Sequence, residues 1–320
     1  MQPVRIIIVV VIAVLAVAAI VFFLRLPGRQ AGPQTNSFDN ENITIAATIF
    51  PLADIARSVA GQHANVIQLL PSGADPHSYS LTPRQVADLQ NAKALFVIGH
   101  NLDDWAADSV ARSTNLPVIV VDQNITLREF GEEEEHKDEA DKHEEDDHDH
   151  DSGTDPHYWL TIPNAQIIAQ TISDELSRID PENTTHYKLQ TTNYLAELDA
   201  LESELQTIAR PAPQKDFIAV HDAWSYLASH YGFHLAATYE PVEGREPSIA
   251  DLQELQSVVN EHGITAFYDE PAKHTTSATQ FIQKDLGLTI KVLDDIGGVP
   301  PRDSYQNLMR FNIESLAGVQ

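Results

Sequence analysis

The sequence contains no cysteine, and it is poor in basic residues. The absence of cysteine excludes disulfide bonds, thiolate metal sites, a thiol nucleophile and a lipid-modified cysteine as a membrane tether. Lysine and arginine together number 20 against 47 aspartate and glutamate residues, which gives a net charge of −27 over 320 residues. With no basic patch in the sequence, this balance argues against nucleic acid as a partner.

One long apolar run lies near the N-terminus. Ile6 to Leu24 are uninterrupted apolar residues, and as a helix they would span about 28 Å, close to the ~30 Å hydrocarbon core of a bilayer. A cleaved signal peptide is the alternative, but its apolar region is usually shorter, and Leu26-Pro27-Gly28-Arg29 is a poor cleavage site. We therefore predict a signal-anchor, transmembrane helix within residues 1–28 and a flexible polar linker over 29–42, with the remaining chain on the extracytoplasmic side.

Much of the negative charge is concentrated in residues 131–151. This segment carries thirteen acidic residues and two lysines, a net charge of −11, together with four histidines: His136, His143, His148 and His150. It offers too little apolar surface to form a core, which predicts a disordered loop. Imidazoles interleaved with carboxylates form loose, exchangeable sites for divalent transition metals, above all zinc. We therefore predict an auxiliary, low-affinity metal loop.

Beyond residue 42 the chain alternates between short strands and helices. The predicted strands are Ile43–Phe50, Asn65–Leu70, Ala94–Ile98, Pro117–Val121, Asp216–Val220, Leu235–Tyr239, Ile264–Tyr268 and Thr289–Leu293. This alternation predicts an α/β fold with parallel sheets. Residues 164–210 contain no predicted strand, and a helix over 181–210 would be about 45 Å long. We therefore predict two α/β lobes, residues 43–180 and 211–320, joined by a long rigid helix over 181–210.

Four potential metal ligands lie at strand ends or beside the acidic loop. His77 lies in the loop after the second strand, and His221 and Asp294 directly follow the fifth and eighth strands. His157 belongs to an Asp-Pro-His sequence that repeats the one around His77. Ligands of open α/β sheets bind beyond the carboxyl ends of strands. A single histidine there is more often structural, but three imidazoles and one carboxylate together suit a four-coordinate Zn²⁺ site.

Four ordered motifs resemble those of a known family. The family comprises the metal-binding solute-binding proteins of ABC transporters, the zinc and manganese group (cluster A-I, with the TroA-like fold). The matching motifs are Pro71-Ser72-Gly73-Ala74-Asp75-Pro76-His77-Ser78-Tyr79 with Pro83-Arg84-Gln85-Val86, Asp155-Pro156-His157-Tyr158-Trp159-Leu160, Val220-His221-Asp222-Ala223-Trp224-Ser225-Tyr226, and Val292-Leu293-Asp294-Asp295-Ile296-Gly297-Gly298 with Asp303-Ser304-Tyr305. The resemblance covers residues 43–319.

This resemblance implies a ligand set. His77, His157 and His221 would be the three imidazole ligands of one ion held between the two lobes, and Asp294 would supply the carboxylate. Asp295 stands where proline is common in the family, so it is the alternative carboxylate. The His-rich acidic insertion resembles that of the zinc-specific, ZnuA-like branch. Manganese members tend to replace the third histidine with a carboxylate, whereas His221 is present here. Manganese is therefore the second choice of ion.

The function implied by the resemblance is binding and delivery. The protein would be the extracytoplasmic, high-affinity zinc-binding component of an ABC importer, a monomer anchored to the cell membrane that hands Zn²⁺ to a permease with its ATPase. A zinc hydrolase is the alternative from another class, but a catalytic zinc keeps a position open for water, and a fourth protein ligand would close it. No motif supports a surface adhesin.

Three further strand-end residues are open to two interpretations. His100 follows the third strand, and we interpret it as structural or as a supporting residue near the site. Asp269 and Glu270 follow the seventh strand and could form a catalytic pair. The family resemblance instead favours packing groups or groups at the rim of the cleft.

Overall fold

The computed structural model describes residues 42–113, 115–130, 153–239, 249–272 and 282–319. The predicted transmembrane helix, nearly all of the linker, and the acidic loop with its four histidines lie outside the described residues. Among the residues that are described, no helix is both long enough and apolar enough to span a bilayer. Residues 42–320 form one compact unit by their internal contacts.

The N-terminal part contains a parallel four-stranded sheet with the order β2-β1-β3-β4. Its strands and helices are β1 (Ile43–Ala47), α1 (Phe50–Ala60), β2 (Ala64–Gln68), α2 (Pro83–Asp88), β3 (Leu95–Val97), α3 (Asp104–Ser113) and β4 (Val118–Val120). The first strand is shorter than predicted because Phe50 already begins α1, with Pro51 in the first turn. Proline favours that position because its fixed φ and missing N–H suit it.

The C-terminal part repeats this arrangement, with the sheet order β6-β5-β7-β8 and parallel pairing throughout. Its strands and helices are β5 (Asp216–Ala219), α6 (Ser225–Tyr231), β6 (His234–Thr238), α7 (Ile249–His262), β7 (Ala266–Asp269), β8 (Thr289–Val292) and α8 (Tyr305–Ala317). In each sheet the strand that comes first in the chain, β1 or β5, has neighbours on both sides. The loops after β1 and β3, and likewise those after β5 and β7, therefore diverge. This divergence opens a crevice at the carboxyl edge of each sheet, where ligands bind.

Two helices without an intervening strand connect the sheets. These are α4 (Ile162–Ile179) and α5 (Thr184–Ala209), separated by a 3₁₀ turn at Pro181–Asn183. Helix α5 is shorter than the predicted helix because this turn occupies its first residues, and its 26 residues span about 39 Å. Its buried residues recur every three or four positions and so form one face: Tyr187, Thr191, Tyr194, Leu198, Leu201, Leu205 and Ala209.

Helix α5 packs against helices from both halves of the chain. It contacts α4 and α1, and also α8 in the C-terminal part. A single apolar cluster accordingly includes Ile55 of α1, Leu198 of α5 and Met309 of α8. A core of this extent holds both sheets against the connecting helices, because burial of apolar surface contributes roughly 25 cal/mol per Å². The loops at the carboxyl edges of both sheets are therefore held close together.

Candidate metal centre

Three predicted ligands come together between the two sheets. Each of His77, His157 and His221 offers one ring nitrogen, and these atoms lie within 4.8 Å of one another. The ring centroids of His157 and His221 are 4.9 Å apart, and that of His77 lies 5.3 Å from His221. His157 and His221 are buried, whereas His77 is exposed. The cluster is therefore reached from solvent on the side of His77.

The loop that carries His77 is held by its own aspartate. Asp75 Oδ1 accepts a hydrogen bond from the backbone N–H of His77 at 2.9 Å, and Asp75 Oδ2 accepts one from the Ser78 hydroxyl at 3.1 Å. The indole N–H of Trp105 donates to the carbonyl of Pro76 at 2.8 Å. An aspartate that bonds the N–H two residues on forms an Asx turn, which the Asp-Pro-His sequence favours. The turn fixes the backbone of His77.

His157 is held by the same kind of turn, and its ring makes a second hydrogen bond to the same carboxylate oxygen. Asp155 Oδ1 accepts the backbone N–H of His157 at 2.9 Å and also lies 2.8 Å from its ring Nδ1. The other ring nitrogen, Nε2, is buried and has no hydrogen-bond partner. A buried nitrogen without a partner costs free energy unless a ligand occupies it. A metal ion at Nε2, with Asp155 fixing Nδ1 as the protonated nitrogen, satisfies the whole ring.

The environment of His157 also favours the protonation state that binds metal. Burial holds the pKa of His157 below its usual value, and the hydrogen bond that its ring donates to Asp155 opposes this shift only in part. The adjacent Trp159 is buried, and its indole N–H donates to the carbonyl of Asp295 at 2.9 Å. The imidazole is therefore neutral at physiological pH and fixed by packing, as a metal ligand requires.

His221 has an acidic partner that comes from the neighbouring strand. Its Nδ1 lies 3.2 Å from Oε2 of Glu270, whose other oxygen accepts the indole N–H of Trp224 at 3.0 Å. Glu270 is 2 % exposed. His221 follows β5 and Glu270 follows β7, and these two strands are adjacent at the point where the order of the sheet reverses. The pair again leaves Nε2 as the ring nitrogen directed to a metal.

The two adjacent aspartates have different environments. Oδ1 of Asp294 accepts the backbone N–H groups of Ile296 and Gly297 at 3.1 and 2.8 Å, and its Oδ2 accepts Nε of Arg302 at 2.6 Å. Among the described residues, His221, Glu270 and Asp295 form a group of potential ligands whose ligand atoms lie within 4.8 Å of one another. Asp294 does not belong to this group. Asp295 is 4 % exposed.

The remaining strand-end residues are also placed. His100 pairs with Asp122, with 2.9 Å between Nε2 and Oδ2, and lies outside the three-histidine group. Asp269 accepts the backbone N–H of Glu270 at 3.0 Å. Sequence reasoning assigned Glu270 to packing or to the rim and so missed its contact with His221. The signal in the sequence was only that Glu270 follows a predicted strand, because the adjacency of β7 and β5 is known from the structure.

The cluster is chemically suited to zinc. Its three donors are imidazole nitrogens, which Zn²⁺ binds at about 2.0–2.1 Å, and carboxylate oxygens of Glu270 and Asp295 lie within 4.8 Å of a ring nitrogen of His221. Two of the three rings have a carboxylate at Nδ1. Such outer partners orient the ring and raise its basicity as a ligand. The donors are drawn from both halves of the molecule, so an ion bound to them would hold the halves together.

Comparisons with known proteins agree on one group. The family model described as "ZnuA: Zinc-uptake complex component A periplasmic" matches residues 45–319. The high-affinity zinc uptake system protein ZnuA of Bacillus subtilis is 27 % identical over 307 residues, which cover 94 % of each chain. The zinc-binding lipoprotein AdcA of Streptococcus pneumoniae is 29 % identical over 287 residues, and this match covers 86 % of the present chain but 55 % of that relative.

Solved structures show the same likeness. A zinc-bound deletion mutant of ZnuA superposes with a TM-score of 0.73 at 27 % identity and covers 87 % of this chain and 98 % of that one. A manganese complex of FpvC from Pseudomonas aeruginosa has a TM-score of 0.70 at 22 % identity, covers 87 % of this chain and 98 % of that one, and shows a shared fold.

Proposed function

Because this chain belongs to the ZnuA family of periplasmic zinc-uptake components, we propose that His77, His157 and His221 bind the transported Zn²⁺ ion. The family is a group of metal-binding solute-binding proteins rather than of enzymes, and it works with an ABC permease and its ATPase. The bound metal is therefore cargo, and the chemistry of the site is capture and release.

The buried Nε2 of His157 carries the assignment. This nitrogen has no hydrogen-bond partner, and ring nitrogens of His77 and His221 lie within 4.8 Å of the ligand atom of His157. A buried imidazole whose nitrogen has no partner costs more free energy than an apolar side chain at the same position. A metal ion bound at Nε2 explains why a histidine is found at position 157. Three imidazoles favour zinc over manganese, which prefers carboxylate and water ligands. Manganese remains the second choice.

We propose Asp295 as the fourth ligand in preference to Asp294. Both oxygens of Asp294 already accept hydrogen bonds, one of them from the guanidinium of Arg302. Withdrawing this carboxylate would leave Arg302 without its 2.6 Å partner. Asp295 has a carboxylate oxygen within 4.8 Å of ligand atoms on His221 and Glu270. Binding through Asp295 leaves the turn at Asp294 intact.

The proposed mechanism uses the division of the ligands between two lobes. Residues 43–180 supply His77 and His157, and residues 211–320 supply His221 and Asp295. Zn²⁺ enters at the exposed His77, and its coordination closes the lobes about the connecting helix α5. Docking on the permease would separate the lobes and release the ion. In this proposal the chain acts as a monomer, the helix at residues 6–24 tethers it to the membrane, and the loop at 131–151 supplies weak auxiliary zinc binding outside the cytoplasm.

The test is to remove each imidazole in turn. His77→Ala, His157→Ala and His221→Ala should each weaken zinc binding by several kcal/mol, because each removes one metal–nitrogen bond. His100→Ala is the matched control, since His100 follows a strand end and has an acidic partner but lies outside the cluster. Competition titration with a zinc chelator measures the affinities, and circular dichroism checks the fold. Unchanged tight binding in any of the three variants would refute the ligand set.

A further inference from the structure

A second group of potential metal ligands lies at the opposite end of the C-terminal sheet. Asp216, His234 and His262 each offer one ligand atom, and these atoms lie within 4.8 Å of one another. Nδ1 of His234 is 2.8 Å from Oδ1 of Asp216, and Nδ1 of His262 is 3.4 Å from the same oxygen. The two ring centroids are 5.8 Å apart. Two imidazoles therefore converge on one carboxylate.

Three separate elements position these residues. Asp216 and His234 are the first residues of β5 and β6, and they are register partners in the parallel sheet. Their side chains therefore project from the same face. His262 is the last residue of α7. A convergence of three elements is not a consequence of local sequence, in contrast to histidines that are close along one helix.

The side chain of Gln214 braces the backbone around this group. Its amide Nε2 donates to the carbonyls of His262 and Gly263 at 3.0 and 3.3 Å. Its Oε1 accepts the backbone N–H groups of Lys215 and Asp216 at 2.9 and 3.3 Å. One side chain thus ties the start of β5 to the end of α7. Ligands held on a braced backbone lose less conformational freedom when an ion binds.

The nearest cation in the sequence is directed elsewhere. Lys215 precedes Asp216, and neighbouring residues of a strand point to opposite faces. Its ammonium donates to the carbonyl of Ala209 at 2.6 Å and lies 4.5 Å from the centroid of the Phe233 ring. The ammonium of Lys215 therefore does not occupy the position between the two imidazoles and the carboxylate.

We propose that Asp216, His234 and His262 form a second, exchangeable binding site for Zn²⁺. Two imidazoles and one carboxylate are a recurrent ligand set for divalent transition metals, zinc included. All three side chains are at least partly exposed, with 47 % for His234 and about 30 % for the other two, so water completes the coordination. Fewer protein ligands and greater exposure make this site weaker than the three-histidine centre.

The second site is independent of the first. Asp216 begins β5, whereas His221 lies beyond the other end of the same strand, five residues or about 16 Å away along an extended chain. The two sites share no ligand. Zinc at the second site does not require the lobes to close, since its three ligands all come from the C-terminal lobe. Its occupancy therefore follows the external zinc concentration above that needed to fill the transport site.

The test measures zinc in the full chain and locates it. We compare the wild type with His234→Gln and His262→Gln, and use His63→Gln as the control because it removes one imidazole outside any of the three-ligand groups in the described structure. Equilibrium dialysis with elemental analysis gives zinc per chain, and the acidic loop contributes the same background in every variant. Anomalous difference maps at the zinc edge from zinc-soaked crystals give the position.

The expected result is an anomalous peak between Asp216, His234 and His262, and a loss of one weakly bound zinc equivalent in either variant but not in His63→Gln. The tight binding event should persist in all variants. Absence of the peak at saturating zinc, or an unchanged stoichiometry in His234→Gln and His262→Gln, would overturn the proposal. If the wild-type protein showed no tight binding event, the three-histidine centre would be refuted instead. The two failures are therefore distinguishable.

Discussion

One oxygen of Asp155 lies 2.8 Å from ring Nδ1 of His157 and 2.9 Å from its backbone N–H. Both side chains are completely buried. The double contact fixes the turn and the ring at once, so the position of Nε2 is determined before any ion arrives. Preorganisation of this kind contributes to affinity by lowering the entropic cost of binding.

We predict that Asp155→Asn weakens zinc binding by about 10–100-fold, because outer partners of metal-bound histidines contribute an effect of that size. The amide keeps the shape of the turn but loses the charge that orients the imidazole. Asp122→Asn is the control, since it alters the histidine–carboxylate pair at His100, outside the three-histidine group. Competition titration distinguishes the two, and equal affinities for both variants would contradict the role of Asp155.

The adjacent aspartates should respond differently to substitution. Asp295→Ala should lower zinc affinity, because it removes the proposed fourth ligand. Asp294→Ala should chiefly lower the free energy of unfolding, by roughly 1–3 kcal/mol, since it leaves Arg302 and two backbone N–H groups without their acceptor. Chelator competition and urea denaturation measure the two quantities. If Asp294→Ala proved the more damaging to zinc affinity with stability preserved, Asp294 would be the ligand, as the motif predicts.

Gly298 marks a close approach between the two lobes. Its carbonyl accepts the hydroxyl of Ser72 at 3.1 Å, and a Cβ at Gly298 would lie 2.7 Å from that same hydroxyl oxygen and 3.1 Å from the Phe50 ring. We predict that Gly298→Ala separates the loops that carry His77 and Asp295 and so weakens zinc binding. Calorimetric titration with zinc measures the change.

Gly73→Ala is the matched control for this substitution. Gly73 has φ +81 and Gly298 has φ +88, so both alanines incur the same backbone strain, about 1–2 kcal/mol. A Cβ at Gly73 meets nothing within 4 Å. A loss of zinc affinity confined to Gly298→Ala therefore reports the contact between lobes, and an equal loss in both variants would show that backbone strain alone is responsible.

Zinc affinity should depend on pH with a slope that reflects His157. Free imidazole titrates near pH 6.5, and protonated rings do not bind metal. Because burial lowers the pKa of His157, the folded, metal-free protein keeps this ring neutral when the pH falls somewhat below 6.5. Zinc affinity should therefore fall less steeply as the pH drops than it would at three histidines of ordinary pKa, with a slope below three protons per ion.

The measurement is zinc affinity between about pH 7 and 5 in a variant that lacks residues 132–151, which removes the histidines of the acidic loop from the titration. A slope near three would mean that His157 takes up a proton in the metal-free protein. An affinity that does not change with pH would exclude a site made of three histidines.

The sequence by itself determined the α/β architecture and indicated most of the proposed ligands. Alternation of strand and helix predicted two parallel sheets, and the strand ends led to His77 and His221, since backbone topology brings carboxyl ends to one edge. The repeated Asp-Pro-His sequence led to His157. The turns found at the two Asp-Pro-His sequences are likewise local, because an Asx turn needs only neighbouring residues. The family resemblance is confirmed by the match over residues 45–319. Each of these features depends on local pattern.

The tertiary structure decided the contacts that depend on distant residues. Asp294 and Asp295 are adjacent and chemically identical, and Arg302, eight residues further on, pairs with the first of them. Glu270 reaches His221 only because β7 lies beside β5 in the sheet. Asp216, His234 and His262 meet for a similar reason, since strand register and the end of α7 bring together side chains that are far apart in the sequence. Which carboxylate faces which imidazole is a property of packing, and no periodicity along the chain encodes it.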